Sequence, residues 1–591
     1  MARTDERLGS KTSRVSELEA QVASLTERAT AAETALANLH KAYRKALEEL
    51  QLLHRRLHVA KAERADGLAD QLAFEAMFEK VEQLAKQLDA ATGGGAGGAG
   101  GGGNKKNHKS TGRRDLAETD LPVVRVEVLD PELEGKATRV GFEETSHLGY
   151  ERGGPRRVVV ARAVYKVEPD AAPSPSADES GSVGAAAAAS TTRAEETIPV
   201  RIVKTDPPKE LFRRSLLAPS MVAHLLTTKF LLGVPFYRLE QSFALQGISL
   251  DRGTMCRYAE DAGATLGAIV LAMRDEAFAT AFCLSTDATG VSIQPGALKE
   301  REPRRPCRKG HFFVVLADRD HVFFEYQEKH TSAAVCSMFR GFSRYIQADA
   351  HTIYDALFSG RPPPGEAPDP ERGPPPVEVG CWSHARRYFW EAAVCKHPLG
   401  IEGMKRIDVI FAADAVFEDK PPAQRKVLRN EHVRTLVDEF FAWVDEQRAR
   451  VRERGLVASA LGYAHNQEEV LRRFLDDGRL RLDNNRSERA LRAIASARKS
   501  WLFFGSDDHA NAAANLFSLV ASCKLHAIDP EQYLAEVIHV MPYWPRERYL
   551  ELSPKYWART RARLAADELA REYGLVTVPA PLPAEEQASS D

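Results

Sequence analysis

Three carboxylates stand out by their settings. Asp287 interrupts an apolar run, Ala281-Phe-Cys-Leu-Ser-Thr-Asp-Ala-Thr-Gly-Val-Ser-Ile293, that otherwise reads as a strand. Asp349 closes a shorter one, Tyr345-Ile-Gln-Ala-Asp349. Two carboxylates brought side by side repel unless a divalent cation sits between them, and hard oxygen ligands of this kind suit Mg²⁺, with Mn²⁺ as a substitute. The candidate third ligand is Glu488 in Leu482-Asp-Asn-Asn-Arg-Ser-Glu-Arg-Ala-Leu-Arg492, where Asp483 can cap a helix and Glu488 lies one to two turns in. Arg489 and Arg492 are three apart, hence on one face beside that carboxylate, as a phosphate clamp requires, and Lys499 adds a further cation. A salt-bridged surface helix accounts for any one of these residues alone. The ordered combination is what argues for a site.

Such residues need a scaffold to bring them together. Beyond Asp287, strand patterns follow at 311–317 and 321–326, implying a hairpin-connected trio. The strand ending in Asp349 comes next, then a short helix through Tyr354 and Leu357, a strand at 377–382 and a helix from His384. Three antiparallel strands followed by alternating helices and strands is the ribonuclease H-like order, in which the first and fourth strands are neighbours. That order sets Asp287 beside Asp349. The 139 residues from Asp349 to Glu488 exceed what a strand and a helix require, so a helical insertion at about 390–480 is expected within a catalytic domain at 275–510. Cys381 and His384 at its entrance have the spacing of half a zinc site, but no second pair follows, which favours a structural role.

Upstream, residues 219–231, 236–245 and a helix opening at Asp251-Arg-Gly-Thr-Met-Cys-Arg-Tyr258 have a helix-turn-helix layout. Arg252 and Arg257, with neighbouring Lys229 and Arg238, are its candidate DNA contacts within a segment at 211–265; tri-helical packing without DNA is the alternative. Residues 115–210 read as a small β-rich module with strands near 122–128, 156–167 and 197–203 and a disordered Ala/Ser/Pro-rich insert at 168–195. From Val15 to Ala60 apolar residues step alternately by three and four, a heptad pattern that makes 1–92 a coiled-coil oligomerisation segment, the alternative being a helix packed on its own chain. A glycine-rich and basic linker occupies 93–114, and a helical segment with a disordered tail fills 511–591.

The whole is a multidomain α/β chain of 591 residues. With 81 Lys+Arg against 83 Asp+Glu the net charge is −2, so any nucleic-acid surface must be local. No apolar run is long enough for a membrane helix, no secretory signal opens the chain, and seven scattered cysteines fit a reducing compartment, so a cytoplasmic location is expected.

Several stretches resemble the transposases of bacterial insertion sequence 66, a DDE family. These are Ser285-Thr-Asp-Ala-Thr289, Gly341-Phe-Ser-Arg-Tyr-Ile-Gln-Ala-Asp349, Gly380-Cys-Trp-Ser-His-Ala-Arg-Arg-Tyr-Phe389, Asp483-Asn-Asn-Arg-Ser-Glu-Arg-Ala-Leu-Arg492 and Arg498-Lys-Ser-Trp-Leu-Phe-Phe-Gly-Ser506. Similarity also covers 217–262 and Asp529-Pro-Glu-Gln-Tyr-Leu534. The resemblance implies two-metal cleavage of an element's terminal repeats and joining to target DNA, with Asp287, Asp349 and Glu488 as the catalytic and metal-binding set. It also implies small accessory proteins of the same element. A catalytically decayed copy that only binds DNA, or a plain metal-dependent nuclease of the same fold, are the alternatives. The chain departs from the family at Ala288, where an acidic residue is usual. It also departs in 115–215, where the family's cysteine zinc site has no counterpart, so no zinc is expected there. The glycine run and the loop at 361–376, with eight prolines, resemble lineage-specific insertions.

Overall fold

A computed structural model describes residues 121–151, 153–167, 201–295, 306–370, 372–451 and 455–583. The expected coiled coil, the glycine-rich linker and the insert at 168–195 lie outside the described residues. The described chain is mixed α/β with two sheets, in two compact units. Among the described residues no helix is long and apolar enough to cross a membrane.

The first sheet holds β1 (Val123–Val128), β2 (Thr138–Glu151), β3 (Gly154–Val167) and β4 (Arg201–Lys204), with β3 paired to all three others. β2 is absent from the strands expected from sequence. Its run of Glu143, Glu144, Thr145 and Ser146 hides the alternation, and a register shift between Arg139 and Gly141 breaks the period. What forms it is thirteen cross-strand partners on β3, reached through a turn with Gly153 at φ 126°, open to glycine and rare for other residues.

Three helices follow: α1 (Pro219–Phe230), α2 (Phe236–Leu245) and α3 (Arg252–Thr280). Asp251 caps α3 by accepting from the Thr254 amide. The helix does not end near 265. Met255, Ala259, Ala262, Leu266, Ile269, Met273 and Ala277 make one buried stripe along its whole length, so the segment shares its core with the sheet it leads into.

That second sheet comprises β5 (Cys283–Ile293), β6 (Arg308–Ala317), β7 (His321–Gln327), β8 (Tyr345–Gln347) and β9 (Val377–Val379), in the order β7-β6-β5-β8-β9. β5, β6 and β7 are antiparallel and β8 runs parallel to β5. Between strands lie α4 (Ser332–Met338) and α5 (Asp355–Ser359).

Residues Glu378–Asn484 make a helical unit with its own core. It contains α6 (Trp382–Val394), α7 (Pro398–Ala415), α8 (Pro422–Leu428), α9 (Arg434–Arg450), α10 (Leu456–Asn466) and α11 (Glu468–Arg472). Trp382, Phe389, Phe440, Phe441 and Phe474 pack ring against ring at its centre. Its two ends are stitched together. Gly380 N donates to Val470 O at 2.9 Å, Trp382 N to Leu482 O at 2.9 Å, and Asn484 N to Cys381 Sγ at 3.3 Å. The chain therefore leaves this unit beside the point where it entered it.

After it come α12 (Asn485–Trp501), α13 (Asp507–Leu525), α14 (Pro530–Val540), α15 (Pro554–Arg561) and α16 (Ala566–Ala570). α13 covers edge strand β7. Ser518 Oγ accepts from Phe324 N at 2.8 Å, and Ser522 Oγ accepts from Val322 N and donates to Val322 O. Two serines thus satisfy backbone that an edge strand leaves open. α3 crosses α13 so closely that a Cβ on Gly263 would lie 2.2 Å from the Ala512 carbonyl. The C-terminal stretch stays packed beyond the helices, with Tyr573, Val576 and Leu582 buried.

Candidate active site

β5 and β8 set the first two carboxylates. Their parallel ladder pairs Cys283 with Tyr345, Leu284 with Ile346 and Ser285 with Gln347. The ladder ends there, and Asp287 and Asp349 each lie two residues beyond its last pair, Asp287 within β5 and Asp349 in the loop after β8. Both are half-buried. A residue not singled out in the sequence, Tyr354, records their proximity: its buried phenol is pushed well above the usual range by burial, then by Asp349, then by Asp287. One hydroxyl thus feels both acids. Asp287 Oδ1 also accepts from the Ala288 amide at 2.7 Å, which orients the carboxylate. Ala288 itself pairs with Phe313 and packs against the hydrophobic core, a setting that suits alanine and would penalise a second acid.

α12 supplies the third. Ser487, Leu491, Ile494, Ala495 and Ala497 form its buried side, and the helix packs on β5 and β6. Glu488 lies three residues before Leu491 and seven before Ala495, so it shares that side and is half-buried. Two ties fix the helix along the strand. Arg498 Nη1 donates to Thr289 Oγ1 at 3.0 Å and to Gly290 O at 2.7 Å. Beyond the helix, Phe504 N donates to Ser292 O at 2.9 Å and Gln294 N to Phe504 O at 2.8 Å. The ties follow β5 in order, so α12 runs in its direction with Glu488 toward the Asp287 end. Ten residues of helix are about 15 Å and three of strand about 10 Å, which leaves Glu488 and Asp287 offset by only about 5 Å along that direction.

The donor set fits a hard divalent cation: one carboxylate on β5, one just past the end of its parallel neighbour β8, and a third on the helix packed over the sheet. The three do not gather their oxygens within 4.8 Å of one another. Among the described residues the group that does so is Asp445, His465 and Glu468, in the helical unit. These already have protein partners, His465 Nδ1 with Asp445 at 2.8 Å and Arg472 Nε with Glu468 at 2.8 Å.

α12 begins at Asn485, two positions after Asp483 and directly after the buried Asn484. Arg489 and Lys499 are exposed and Arg492 is half-buried, and no carboxylate among the described residues pairs with Arg489 or Arg492. Arg252 and Arg257 are exposed on the first turns of α3, the end far from β5. Arg257 Nη2 donates to Thr254 Oγ1 at 2.9 Å, and Arg252 lies 5.8 Å from the Tyr237 ring centre. Lys229 is different. Its amine sits 4.4 Å from the centre of Phe236 and 5.9 Å from that of Trp501, and burial lowers its pKa, so it belongs to ring packing more than to a phosphate.

A histidine stack two residues past Asp349 also escapes sequence reading. His330 stacks on His311 and on Phe313, with His351 edge-on at 4.8 Å. Burial, then His311, His351 and Lys309, lower His330 to about 4, so it is neutral at pH 7. His311 lies on β6 and His330 and His351 in two separate loops, and no local pattern announces them.

Residues 214–512 match the family model described as Transposase IS66 family, and 518–554 match the IS66 C-terminal element. Three relatives from Sinorhizobium fredii (strain NBRC 101917 / NGR234) are similar to the chain. Uncharacterized protein y4hP is 27% identical over 391 residues, covering 61% of this chain and 66% of the relative. Uncharacterized protein y4qI is 25% identical over 369 residues, 60% of this chain and 65% of the relative. Uncharacterized protein y4jD is 22% identical over 346 residues, 57% and 65% respectively. The chain spans just under two thirds of the length of these relatives. With the second sheet, the helical unit and α12 all inside the matched 214–512, the chain belongs to the Transposase IS66 family.

Proposed function

We propose that this chain is a DNA transposase that cuts the ends of an insertion element and joins them to target DNA, through a ribonuclease H-like catalytic domain at 275–510. The observation that supports the reading is the parallel β5–β8 register, which ends at Ser285 and Gln347, two residues before Asp287 and Asp349 respectively, together with the ties that hold α12, the helix of Glu488, along the same strand. Asp287, Asp349 and Glu488 would hold divalent cations, Mg²⁺ with Mn²⁺ as substitute. When bound, such ions supply charge stabilisation to a pentacoordinate phosphate and acidify water. The chain's own residues do the rest. Arg489, Arg492 and Lys499 hold backbone phosphates along α12, and the Arg498 tie keeps Glu488 at its axial position. Water opens the phosphodiester at the element end, and the freed 3′-hydroxyl then attacks a target phosphodiester, so no covalent enzyme intermediate is required.

Arg252 and Arg257, with the helices at 211–265, read the terminal repeat, and the coiled coil at 1–92 pairs protomers and hence two DNA ends. Small accessory proteins of the element assist, and the reaction takes place in the cytoplasm. A strand-transfer assay with labelled element ends tests the proposal. Glu488→Gln should retain fold and DNA binding while cleavage and joining fall by orders of magnitude. After EDTA, Mg²⁺ or Mn²⁺ should restore activity only to the unmutated chain. Cleavage without joining would make the protein a nuclease, and binding without cleavage a decayed copy.

A further inference from the structure

The segment that closes α12 has a shape its tethering role does not explain. Leu502 sits at φ 63°, a left-handed conformation that costs a leucine and that glycine adopts freely. Its side chain is 65% exposed, and that of Phe503 beside it 43% exposed. A strained backbone that pushes two large apolar groups into water is stabilised only by its anchors. On one side Leu502 N donates to Arg498 O at 2.9 Å; on the other, buried Phe504 bonds both ways with β5, and its ring packs on Trp501 and Phe312. The result is a rigid apolar tip fixed to the strand of Asp287 and the helix of Glu488. Two lysines flank it: Lys499 is exposed just before it, and Lys309 pairs with Ser292 on the strand beside β5, while Arg498 is tied to β5 and Arg308 is paired with Asp507.

We propose that Leu502 and Phe503 form a wedge that inserts between stacked bases of a DNA duplex. Apolar side chains on a stiff mount, flanked by cations, are what unstacking a base step demands, since the cations hold the backbone while the apolar groups replace the lost stacking. Five residues of β5, about 16 Å, separate Asp287 from Ser292, so the wedge stands apart from the aspartates along the same strand. This rests on the transposase reading above.

The test compares full-length chain binding to a fluorescein-labelled duplex with binding to the same duplex carrying one central abasic gap. Where the stack is already broken the unstacking cost is prepaid, so the unmutated chain should prefer the gapped duplex by roughly tenfold. The double variant Leu502→Gly, Phe503→Ala should lose that preference with little change on the intact duplex. Glycine relieves the φ at 502, so the thermal midpoint should be equal or higher, which separates a lost wedge from a lost fold. Phe503→Trp should keep the preference. A double variant that retains the preference overturns the proposal, as does one whose DNA-free sedimentation shows a broken protein contact. An unmutated chain that binds both duplexes equally overturns the wedge alone; one that binds neither overturns the DNA reading with it.

Discussion

Glu276, in the last turns of α3, ties three parts of the structure through one carboxylate that is 10% exposed. Its Oε2 lies 2.5 Å from His321 Nε2 at the start of β7, and its Oε1 accepts from Lys555 Nζ on α15 at 3.0 Å and from the Tyr556 hydroxyl. Lys555 reaches Asp320 as well, at 2.8 Å. Burial alone would raise the Glu276 pKa, but His321, Tyr556 and Lys555 outweigh it and hold it down to about 2 from 4.5. A shift of that size corresponds to about 3 kcal/mol favouring the folded arrangement. The folded value lies below the unfolded one, so this contribution is complete above about pH 4.5 and disappears as pH falls toward 2. Glu276→Gln keeps the volume and one acceptor but leaves Lys555 with Asp320 alone and His321 without an acid. At pH 7 it should cost about 3 kcal/mol, read locally as amide exchange in α15 faster by a few hundredfold. The gap between the two proteins should close on acidification toward pH 2 to 3. Exchange in α15 within threefold of the unmutated chain at pH 7, or a gap that stays constant with pH, would refute this account of how the C-terminal helices are held.

Other consequences follow from the site and its surroundings. Arg498→Gln removes both donations to β5 and should cut cleavage at least tenfold in a gel assay while DNA binding and the thermal midpoint change little, since α12 keeps its buried side. Arg257→Ala should weaken binding to an element end and lower the slope of log affinity against log salt by about 1, measured by anisotropy across a salt series. Deleting residues 1–92 should convert the sedimenting species to a monomer without abolishing binding to a single end.

Legibility of the fold varied with how local its cause is. β5, β6 and β7 can be read from the chain because each is an apolar run whose period and flanking turns are its own. β2 cannot, because its fourteen residues hold their shape through the ladder to β3, and nothing local in Glu143-Glu-Thr-Ser146 asks for a strand. α3 is legible as a helix but not in extent: its buried stripe continues past 265 because the sheet and α13 cover it there. Residues beyond α16 resemble a tail in composition, yet Glu572 accepts from Ser220 Oγ at 2.6 Å and pairs with Arg156, so ordering comes from partners more than 350 positions away.

The candidate site divides along the same line. Asp287 and Asp349 are visible because a charged residue within or ending an apolar strand is an anomaly at the level of a few residues, and the strand order then makes them neighbours. Glu488 is visible as chemistry but not as position, since a helix may slide along its axis without changing its sequence. What fixes the axial position is Arg498 on Gly290 and Phe504 on Ser292, ten and sixteen residues downstream of the carboxylate. The two ties lie toward the far end of the helix from Glu488, and the three acids do not gather their oxygens within 4.8 Å of one another. Tyr354 reports on the pair: burial first, then the charges of Asp349 and Asp287, disfavour ionisation of its hydroxyl, so it stays neutral beside them.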